Sequence, residues 1–296
     1  MIDRIQGMQV LLKVAELENL SAAARALRMS PTMVTKHIAA QEERLGVLLL
    51  HRTTRRVTLT EAGRVYREAA ERIVGEVEEA EAATAADHVT VRGTLRVNVP
   101  VSYGVRVIAP LLAEFAAMHP ALVVDLGLND RLVDLVEEGW DMAIRIGQLA
   151  PSALRARRLA DCELVLCAAP SYLARRGRPS RVSELSEHEC LGYTLSRSVG
   201  TSSWSFAKDG SVTVPISGHL HANNGDALLA AAIAGQGLTY QPTFLLGDAI
   251  AAGQLVPVEL DHPPFELHGI YAVHPANDRL PAKVRVFTDY LAMKLR

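Results

Sequence analysis

The sequence predicts an α/β fold in three successive parts: a helical head, a long connecting helix and a larger body. Three observations predict this division. The chain has 296 residues, enough for about two domains. Apolar residues recur at helical spacing through the first sixty residues. Short strand-like and helical segments alternate from Gly93 onward. We expect the parts to span residues 1–60, 61–90 and 91–296.

Composition narrows the class of protein. Hydrophobic residues make up 49% and charged residues 22%, with 31 Lys+Arg against 33 Asp+Glu, so bulk charge identifies no partner. The cysteines are too few for a disulfide framework, and the first twenty residues lack a secretory pattern, so we expect a cytoplasmic protein. No uninterrupted apolar run of membrane-spanning length is present, so we expect no membrane partner.

The charge is unevenly placed along the chain. Residues 1–60 hold nine Lys/Arg and five Asp/Glu, whereas residues 61–90 hold three and eight. A basic head is typical of nucleic-acid binding, although a local charge excess is more often a solvated surface. Charge alone therefore leaves both interpretations open.

The sequence of the head predicts three helices. The first spans about residues 2–17, and the second spans about residues 22–27 with Ser21 as its N-cap. The third begins at Pro31 with Ser30 as its N-cap, because proline at the first helical position sacrifices no hydrogen bond. A tight turn between the second and third helices gives a helix-turn-helix outline.

The third helix has two distinct faces. Val34, Ile38 and Leu45 share one side and are expected to pack inward. The other side presents polar side chains from the first turns: Thr32, Thr35, Lys36 and His37. This arrangement is that of a recognition helix in the DNA major groove. A compact three-helix domain without DNA-binding function shares the outline, so periodicity alone decides neither.

A basic hairpin is predicted after the third helix. Val47–Leu50 and Val57–Leu59 read as strands around a polar turn at residues 51–56. Arginines at such a tip, namely Arg52, Arg55 and Arg56, suit contacts to phosphates and to the narrow minor groove.

Several spaced motifs of this head resemble the winged helix-turn-helix of LysR-type transcriptional regulators. They are Ser21–Leu27, Ser30–Ile38, Leu45–Val47, Arg52–Arg56 and Leu59–Gly63. Three residues depart from the family pattern: Pro31 where Gln is frequent, Gln41 where Leu usually turns inward, and Leu50 where Phe is usual.

The resemblance implies a regulator that binds double-stranded DNA at an interrupted inverted repeat. The DNA-binding residues that we expect from it are Ser30, Thr32, Met33, Thr35, Lys36, His37, Arg52, Thr53, Arg55 and Arg56.

A long helix is predicted from Glu61 to about Ala86, capped by Thr60. One face is apolar throughout: Ala62, Val65, Tyr66, Ala69, Ile73, Val77 and Ala80. At about 40 Å the helix is too long to bury this face against the small head, so we expect self-association. The alternative is a helix packed on its own body. The resemblance implies pairing of these helices into dimers, commonly assembled into tetramers.

The sequence of the body predicts mostly parallel sheets covered by helices. In a first subdomain we expect strands at residues 95–99, 122–126 and 142–146, with helices at 108–118 and 132–138. In a second subdomain we expect strands at residues 164–166 and 238–240 and a helix at 227–234. A final strand at residues 269–273 and a helix at 281–295 are expected to return to the first subdomain.

This layout is similar to the type 2 periplasmic-binding-protein fold of LysR effector domains. The two subdomains would comprise residues 91–163 with 267–296, and residues 164–266. The resemblance implies that a small-molecule effector modulates DNA binding from the cleft between them. At strand ends and helix starts near this cleft we expect effector-binding residues: Ser102, Tyr103, Asn129, Arg145, Thr201, Ser203 and Asn224.

The effector class is read from the same positions. Helix N-termini favour anions, so we expect a small carboxylate-bearing effector. Each residue has an alternative role in a turn or cap, and Arg145 an alternative role in a structural ion pair.

The sequence lacks the motifs of common enzymes. No G-x-S-x-G, phosphate-binding loop or dinucleotide-binding motif is present, so we expect no catalytic residues, no enzyme activity and no cofactor. The competing class is a small-molecule binding protein or enzyme built on the same body. His219 and His221 lack a third metal ligand nearby, so we expect no metal site. Cys162 and Cys167 suit either a redox pair or, more simply, packed thiols.

Overall fold

The computed structural model describes residues 3–52, 57–84, 91–196, 198–276 and 280–295. The chain divides into two compact units, Met1–Val89 and Thr90–Arg296.

The first unit has the predicted order of helices, hairpin and long helix. The elements are α1 Arg4–Leu17, α2 Leu20–Ala26, α3 Pro31–Leu45, β1 Leu50–Arg52, β2 Val57–Leu59 and α4 Glu61–Thr84. Buried aliphatic side chains from α1, α2, α3 and the hairpin form one core, which includes Leu11, Ala24, Ile38 and Leu49. Small alanines in α2 let the neighbouring helices approach closely.

Capping side chains decide where two of these helices begin. Ser30 Oγ accepts a hydrogen bond from the Met33 amide at 3.2 Å, which confirms the predicted start of α3. The prediction of Ser21 as the N-cap of α2 is wrong. Asn19 performs that role, with its side-chain oxygen 2.9 Å from the Ala22 amide nitrogen. Asparagine caps as well as serine, and the earlier start brings the apolar Leu20 against the core.

The hairpin is shorter than predicted on its first side. β1 begins at Leu50 rather than Val47, and it pairs antiparallel with β2, Leu50 opposite Leu59. The preceding amides of Leu49 and Leu50 donate instead to the carboxylate of Glu42, at 2.9 and 3.2 Å. A side chain from α3 therefore satisfies backbone groups that a longer strand would pair, and it ties the hairpin to α3.

The long helix α4 is anchored to the head at its start. Thr60 Oγ1 accepts from the Gly63 amide at 2.9 Å and donates to the Leu48 carbonyl at 2.7 Å, which confirms the predicted cap. A Cβ on Gly63 would stand 2.0 Å from the Leu49 carbonyl oxygen, so only glycine permits this approach.

The apolar face of α4 is divided between two environments. Tyr66, Ala70 and Val74 pack against Met8 and its neighbours on α1. The expectation that the head is too small to bury the helix is therefore wrong for this part. Val65 and Ile73 stay exposed, with 64% and 38% of their surface accessible.

The second unit begins with a five-stranded sheet in the order β4-β3-β5-β14-β6. Its strands are β3 Gly93–Val99, β4 Leu122–Leu128, β5 Met142–Ile146, β6 Leu154–Ala160 and β14 Ile270–Pro275. β3 runs parallel to β4 and β5, whereas β14 runs antiparallel to β5 and β6. The sheet is mixed rather than mostly parallel, because the arginine-rich β6, which was not predicted, and the returning β14 complete it.

Helices cover one face of this sheet, and with it they form the first lobe. They are α5 Val101–Tyr103, a π-helical turn Gly104–Ile108, α6 Ala109–Met118 and α10 Ala282–Lys294. Their buried side chains, including Ile108, Phe115 and Phe287, share a core with alternate residues of the strands. The helix predicted at residues 132–138 is absent. A single turn stands there, with Asp134 Oδ1 accepting from the amides of Val136 and Glu137.

The second lobe contains a three-stranded sheet in the order β12-β7-β13 and two strand pairs. Its elements are β7 Leu164–Ala168, α7 Pro170–Arg176, a 3-10 turn Val182–Glu187, β8 Gly192–Tyr193, β9 Ser203–Phe206, β10 Val212–Pro215, β11 His221–Ala222, α8 Gly225–Ile233, β12 Thr239–Pro242, α9 Thr243–Ala251 and β13 Val256–Pro257. Both pairings of the three-stranded sheet are antiparallel, so the prediction of a mostly parallel sheet is wrong in this lobe. Phe244 and Leu267 pack against the cores of both lobes.

The helical stretch Val101–Met118 has the length and composition of a membrane span, with a mean hydropathy of 1.4, and 28% of it is buried. In the fold it covers the five-stranded sheet, with Ile108 and Phe115 fully buried against the strands. Its apolar character therefore has a structural role in the first lobe.

Candidate DNA interface and ligand cleft

The start of α3 presents a polar, exposed surface. Ser30, Thr32, Met33 and Lys36 are exposed, while Thr35 is half-buried and its hydroxyl donates to the Pro31 carbonyl at 3.0 Å. The first turn carries no acidic side chain. Unpaired backbone amides and the helix dipole make such a helix start favourable for phosphate.

His37 does not belong to that surface, and the expectation that it faces outward is wrong. Only 1% of its surface is accessible, and neither ring nitrogen has a hydrogen-bond partner among the described residues. The inward stripe of α3 consists of Val34, His37, Ile38 and Gln41, which follow the helical spacing of three and four residues. Leu45, expected to pack inward, is exposed at the last turn.

Gln41 fixes the position of α3 against α1. Its Nε2 donates to the Gly7 carbonyl at 2.7 Å, and Gly7 leaves room for the amide because a Cβ there would lie 3.1 Å from that nitrogen. The departure from the usual leucine thus keeps the side chain inward but replaces an apolar contact with a hydrogen bond. At the far end, Arg44 donates to the Tyr66 hydroxyl at 3.0 Å.

The tip of the hairpin lies mostly outside the described residues. The backbone of Arg52 ends β1 opposite Val57. The Arg52 side chain and the residues Thr53, Arg55 and Arg56 are outside the part of the chain that the structure describes.

In the second unit, the two lobes contact each other at the start of α8, where the cleft is predicted. Asp226, in the first turn of α8, accepts hydrogen bonds from two residues of the first lobe. Ser102 Oγ donates to Asp226 Oδ2 at 2.6 Å. The guanidinium of Arg106 donates to Asp226 Oδ1 through Nη2 at 2.6 Å and through Nε at 3.2 Å. Asp226 is therefore the centre of a polar cluster that joins the lobes.

A second polar contact crosses the cleft beside the first. Asn224 caps α8 by accepting from the amides of Asp226 and Ala227, and its Nδ2 lies 3.5 Å from Asp130 Oδ2. Asp130 Oδ1 in turn accepts from the Val101 amide at 2.9 Å. Burial, together with the charge of Asp130, raises the pKa of Tyr193 to about 12.

The protonation states follow from this geometry. Burial opposes ionisation of Asp226, yet the hydrogen bonds from Ser102 and Arg106 and the guanidinium charge lower its pKa below the ordinary value. Tyr103 is buried, which raises its pKa, and its ring packs edge-on against Phe244 of the second lobe with the centroids 5.0 Å apart. Asp226 is thus an anion and Tyr103 a neutral phenol at neutral pH.

The predicted cleft residues fall into two groups. Ser102, Tyr103 and Asn224 take part in contacts between the lobes, as described above. Asn129 instead closes a local turn, since its side-chain oxygen accepts from the Arg131 amide at 2.9 Å. Thr201 packs against Gly192, and Ser203 begins β9.

Arg145 lies on the face of the sheet opposite the main core. Its Nη2 donates to the Val133 carbonyl at 3.1 Å, and its guanidinium borders a cavity of about 240 Å³ with Leu149, Leu154 and Val273. Burial lowers its pKa, against an opposing effect of Asp134. Among the described residues Arg145 has no ion pair within 4.0 Å, which does not favour the alternative of a structural ion pair.

The sequence analysis missed three charged residues between the lobes, Arg106, Asp130 and Asp226, and one uncharged amide, Gln241. Arg106 follows Ser102 by four residues, a spacing that places both on one side of a helix. Asp226 stands two residues after the recognised cap Asn224. Gln241 gave no signal, because it lies in the short strand β12 with no recognisable motif around it.

The remaining reactive side chains are accounted for locally. His219 Nδ1 lies 2.9 Å from a carboxylate oxygen of Glu189, and no group of three or more metal-ligating side chains occurs in the described part of the chain. The three cysteines are free and buried, and burial raises the pKa of each thiol to about 12, as packed thiols require.

Comparison with known families decides what this two-unit chain is. Residues 5–64 match the family model described as a bacterial regulatory helix-turn-helix protein of the lysR family, and residues 88–296 match the LysR substrate binding domain. The chain belongs to the LysR family of transcriptional regulators. The LysR resemblance seen in the sequence is therefore confirmed, as is the fold class of winged helix-turn-helix, long helix and two-lobed effector domain.

Relatives align with this LysR-type regulator over nearly its whole length. The HTH-type transcriptional regulator CrgA of Neisseria meningitidis serogroup C is 34% identical over 98% of this chain and 96% of its own. DmlR of Escherichia coli is 34% identical over 97% and 93%. Among solved structures, CrgA superposes with a TM-score of 0.63 and 33% identity, covering 98% of both chains. AphB of Vibrio cholerae, a virulence activator, gives 0.58 and 25%, covering 97% of both.

The function follows from the two matched domains. This protein is a LysR-type DNA-binding transcriptional regulator with an effector-binding domain of two α/β lobes.

Proposed function

We propose that this LysR-type regulator reads an interrupted inverted repeat of double-stranded DNA through α3 and the hairpin. The observation that carries the proposal is the start of α3, where an exposed polar face coincides with a helix N-terminus that has no acidic side chain in its first turn. Thr32, Thr35 and Lys36 face the major groove, with Ser30 and Met33 beside them. Arg52, Thr53, Arg55 and Arg56 contact phosphates or the minor groove. His37 is not among the proposed contacts, because it is buried.

Self-association is the second part of the proposal. Val65, Ala69 and Ile73 recur every four residues on α4, and the first and last are exposed apolar side chains on a helix whose other apolar side already packs on α1. Pairing of this stripe with the same stripe of a second copy buries both. A dimer places two copies of α3 on the two half-sites of an inverted repeat. A dimer, or a tetramer built from dimers, is the assembly that we propose.

The small-molecule effector is proposed to bind in the cleft of the second unit. Ser102, Tyr103 and Asn224 border it, together with Arg106, Asp130, Tyr193 and Asp226. The subdomain limits remain those predicted, residues 91–163 with 267–296, and residues 164–266. We further propose that the protein acts in the cytoplasm, by binding and without catalysis, cofactor, metal or membrane.

The test is binding of the purified full chain to DNA fragments taken from upstream of its own gene and of the neighbouring genes. Footprinting is expected to protect two half-sites separated by an unprotected interval, and unlabelled random DNA is expected to compete poorly. Small carboxylates added one at a time are expected to identify one that changes affinity or footprint. Equal binding to all fragments, without a footprint, would contradict the proposed operator recognition.

A further inference from the structure

The cleft contains a carboxylate that belongs to the chain itself. Asp226 receives three hydrogen bonds from the first lobe, one from the Ser102 hydroxyl and two from the Arg106 guanidinium. Two donors that converge on the two oxygens of one carboxylate form the arrangement by which proteins recognise a free carboxylate ligand. The only unusual feature is that the carboxylate is covalently attached to the opposite lobe.

The backbone on both sides of the cleft is shaped for this contact. Arg106 lies in the π-helical turn Gly104–Ile108, an irregular conformation that is frequent at functional sites. Asp226 follows Gly225, where a Cβ would stand 2.6 Å from a Leu245 methyl and 3.7 Å from Ser102 Oγ. A side chain at Gly225 would therefore clash with Leu245 of α9, so glycine lets α8 pack closely on α9 at the point where Asp226 faces Ser102.

An unpartnered donor lies beside the cluster. Gln241 is 5% exposed, and its Oε1 would be 3.1 Å from a Cβ on Gly225, which places the amide at the start of α8. Its Nε2 has no hydrogen-bond partner among the described residues. A buried amide donor without a partner costs free energy, so the residues around the start of α8 retain a hydrogen-bonding capacity that the described contacts do not use.

We propose that Asp226 is a tethered occupant of a carboxylate subsite formed by Ser102 Oγ and the Arg106 guanidinium. This inference rests on the proposed function of the cleft and deepens it. With Asp226 in place the lobes are held together, and a carboxylate-bearing effector binds at this point by displacing Asp226 from Ser102 and Arg106. Asp226 is then a positioning residue that holds the lobes together and determines the effector concentration that is needed for binding.

The experiment supplies a free carboxylate to a chain that has lost its own. In the full-length Asp226→Ala variant, the thermal unfolding midpoint is expected to fall by about 3 °C, because a partly exposed ion pair between the lobes is lost. Sodium acetate, titrated at constant ionic strength, is expected to restore most of this loss, whereas acetamide, which has the same shape without the charge, restores none.

Three further variants keep the result interpretable. Asp248→Ala removes a second carboxylate near the same guanidinium, 3.9 Å from Arg106 Nη1, but Asp248 is 97% exposed. Its midpoint and its acetate response are expected to equal those of the wild type. Adding Arg106→Ala to Asp226→Ala is expected to abolish the acetate effect. Asp226→Asn keeps the side-chain volume in case the alanine variant does not fold, and it is expected to lose stability without an acetate response, because the amide still fills the subsite.

Two outcomes would contradict the inference. An Asp226→Ala chain that acetate stabilises no more than it stabilises wild type would overturn the inference, and so would an acetate effect that survives Arg106→Ala. No DNA is present in these measurements, so their failure is distinguishable from failure of the proposed DNA recognition, which the footprinting experiment tests separately.

Discussion

Two helices of this regulator, α3 and α8, begin with the same kind of side-chain cap, but the start of α3 faces solvent and the start of α8 contacts another lobe. α3 is capped by Ser30 and α8 by Asn224, and in both the cap side chain accepts from amides of the first turn. α3 has no acidic residue in that turn, and the polar side chains around it point to solvent. α8 carries Asp226 there, and its carboxylate is paired with Ser102 and Arg106.

The difference shows that a helix N-terminus can serve two purposes in the same protein. A helix N-terminus attracts negative charge. Where the chain supplies that charge itself, the contact joins two parts of the protein, as at α8. Where it supplies none, the site remains available to an external polyanion, as at α3. The comparison therefore predicts that changes near α3 affect DNA binding, and that changes near Asp226 affect the body.

The largest expected effect tests whether the α3 surface depends on the close approach of α4 to the hairpin. Gly63→Ala places a Cβ 2.0 Å from the Leu49 carbonyl oxygen, so the backbone must move. We expect a loss of about 3 kcal/mol in the free energy of unfolding, measured by denaturant titration, with a parallel loss of DNA affinity.

Gly75→Ala is the matched control for that change. Gly75 lies on the same helix with nothing within 4 Å of the added Cβ. We expect a gain of about 0.5–1 kcal/mol from helix propensity. Equal behaviour of the two variants would show that the Gly63 contact does not constrain the head.

The next prediction divides the DNA contacts between affinity and sequence preference. Arg55→Ala is expected to weaken binding by about 1 kcal/mol per contact, uniformly across sequences, because phosphate contacts carry no base information. Thr35→Ala is expected to change the preferred bases instead. Binding to a panel of operator variants measures both, and the reverse pattern would mean that the roles of helix and hairpin are exchanged.

A smaller effect concerns the pH dependence of the body. Because the folded pKa of Asp226 lies below its unfolded value near 4, its stabilising contribution is present above about pH 4 and is lost as the pH falls further. Asp226→Asn is therefore expected to cost about 1 kcal/mol at pH 7, a value discounted for solvent exposure, and progressively less as the pH falls below about 4. The facing charges are Arg106, Asp248 and Asp130. A variant difference that is independent of pH would refute an electrostatic role for Asp226.

The smallest expected effect is in the core of the head. Gln41→Leu removes the hydrogen bond to Gly7, but it also removes a buried side-chain oxygen that has no partner in the described part of the chain. The loss of the hydrogen bond lowers stability and the loss of the unpartnered oxygen raises it, so we expect a change below about 1 kcal/mol in the free energy of unfolding. Gln41→Ala is expected to cost about 2 kcal/mol because it also leaves a cavity. A large loss in the leucine variant would make the hydrogen bond essential for α3 placement.

Local patterns in the sequence predicted much of the fold. The start of α3, the cap at Thr60, the strand Met142–Ile146 and the helix after Asn224 are set by residues within a few positions of each other. Errors of one residue in helical phase were enough to misplace His37, since each residue turns the helix by about 100°. β6 was missed because Arg158 interrupts the alternation of apolar residues and arginines, and because this edge strand is mostly exposed.

The cleft was less predictable for a different reason. Ser102 and Arg106 are separated from Asp226 by 124 and 120 residues, and only the packing of the two lobes brings them together. The sequence indicated which strand ends border the cleft, but it contained no signal that the charge of one lobe is neutralised by the other. The sequence predicts Asn129 at the cleft, but its neighbour Asp130 makes the contact, because adjacent side chains in a turn point in different directions.

The most direct test of the account is the salt dependence of operator binding by the full-length protein. If Lys36, Arg52, Arg55 and Arg56 of two protomers each contact a phosphate, about eight counterions are displaced, and the slope of log K against log salt is expected to be about −7. A steep slope of that size would establish α3 and the hairpin as a surface open to an external polyanion. A flat response would contradict that claim and leave the small-molecule cleft as the only binding function that the fold supports.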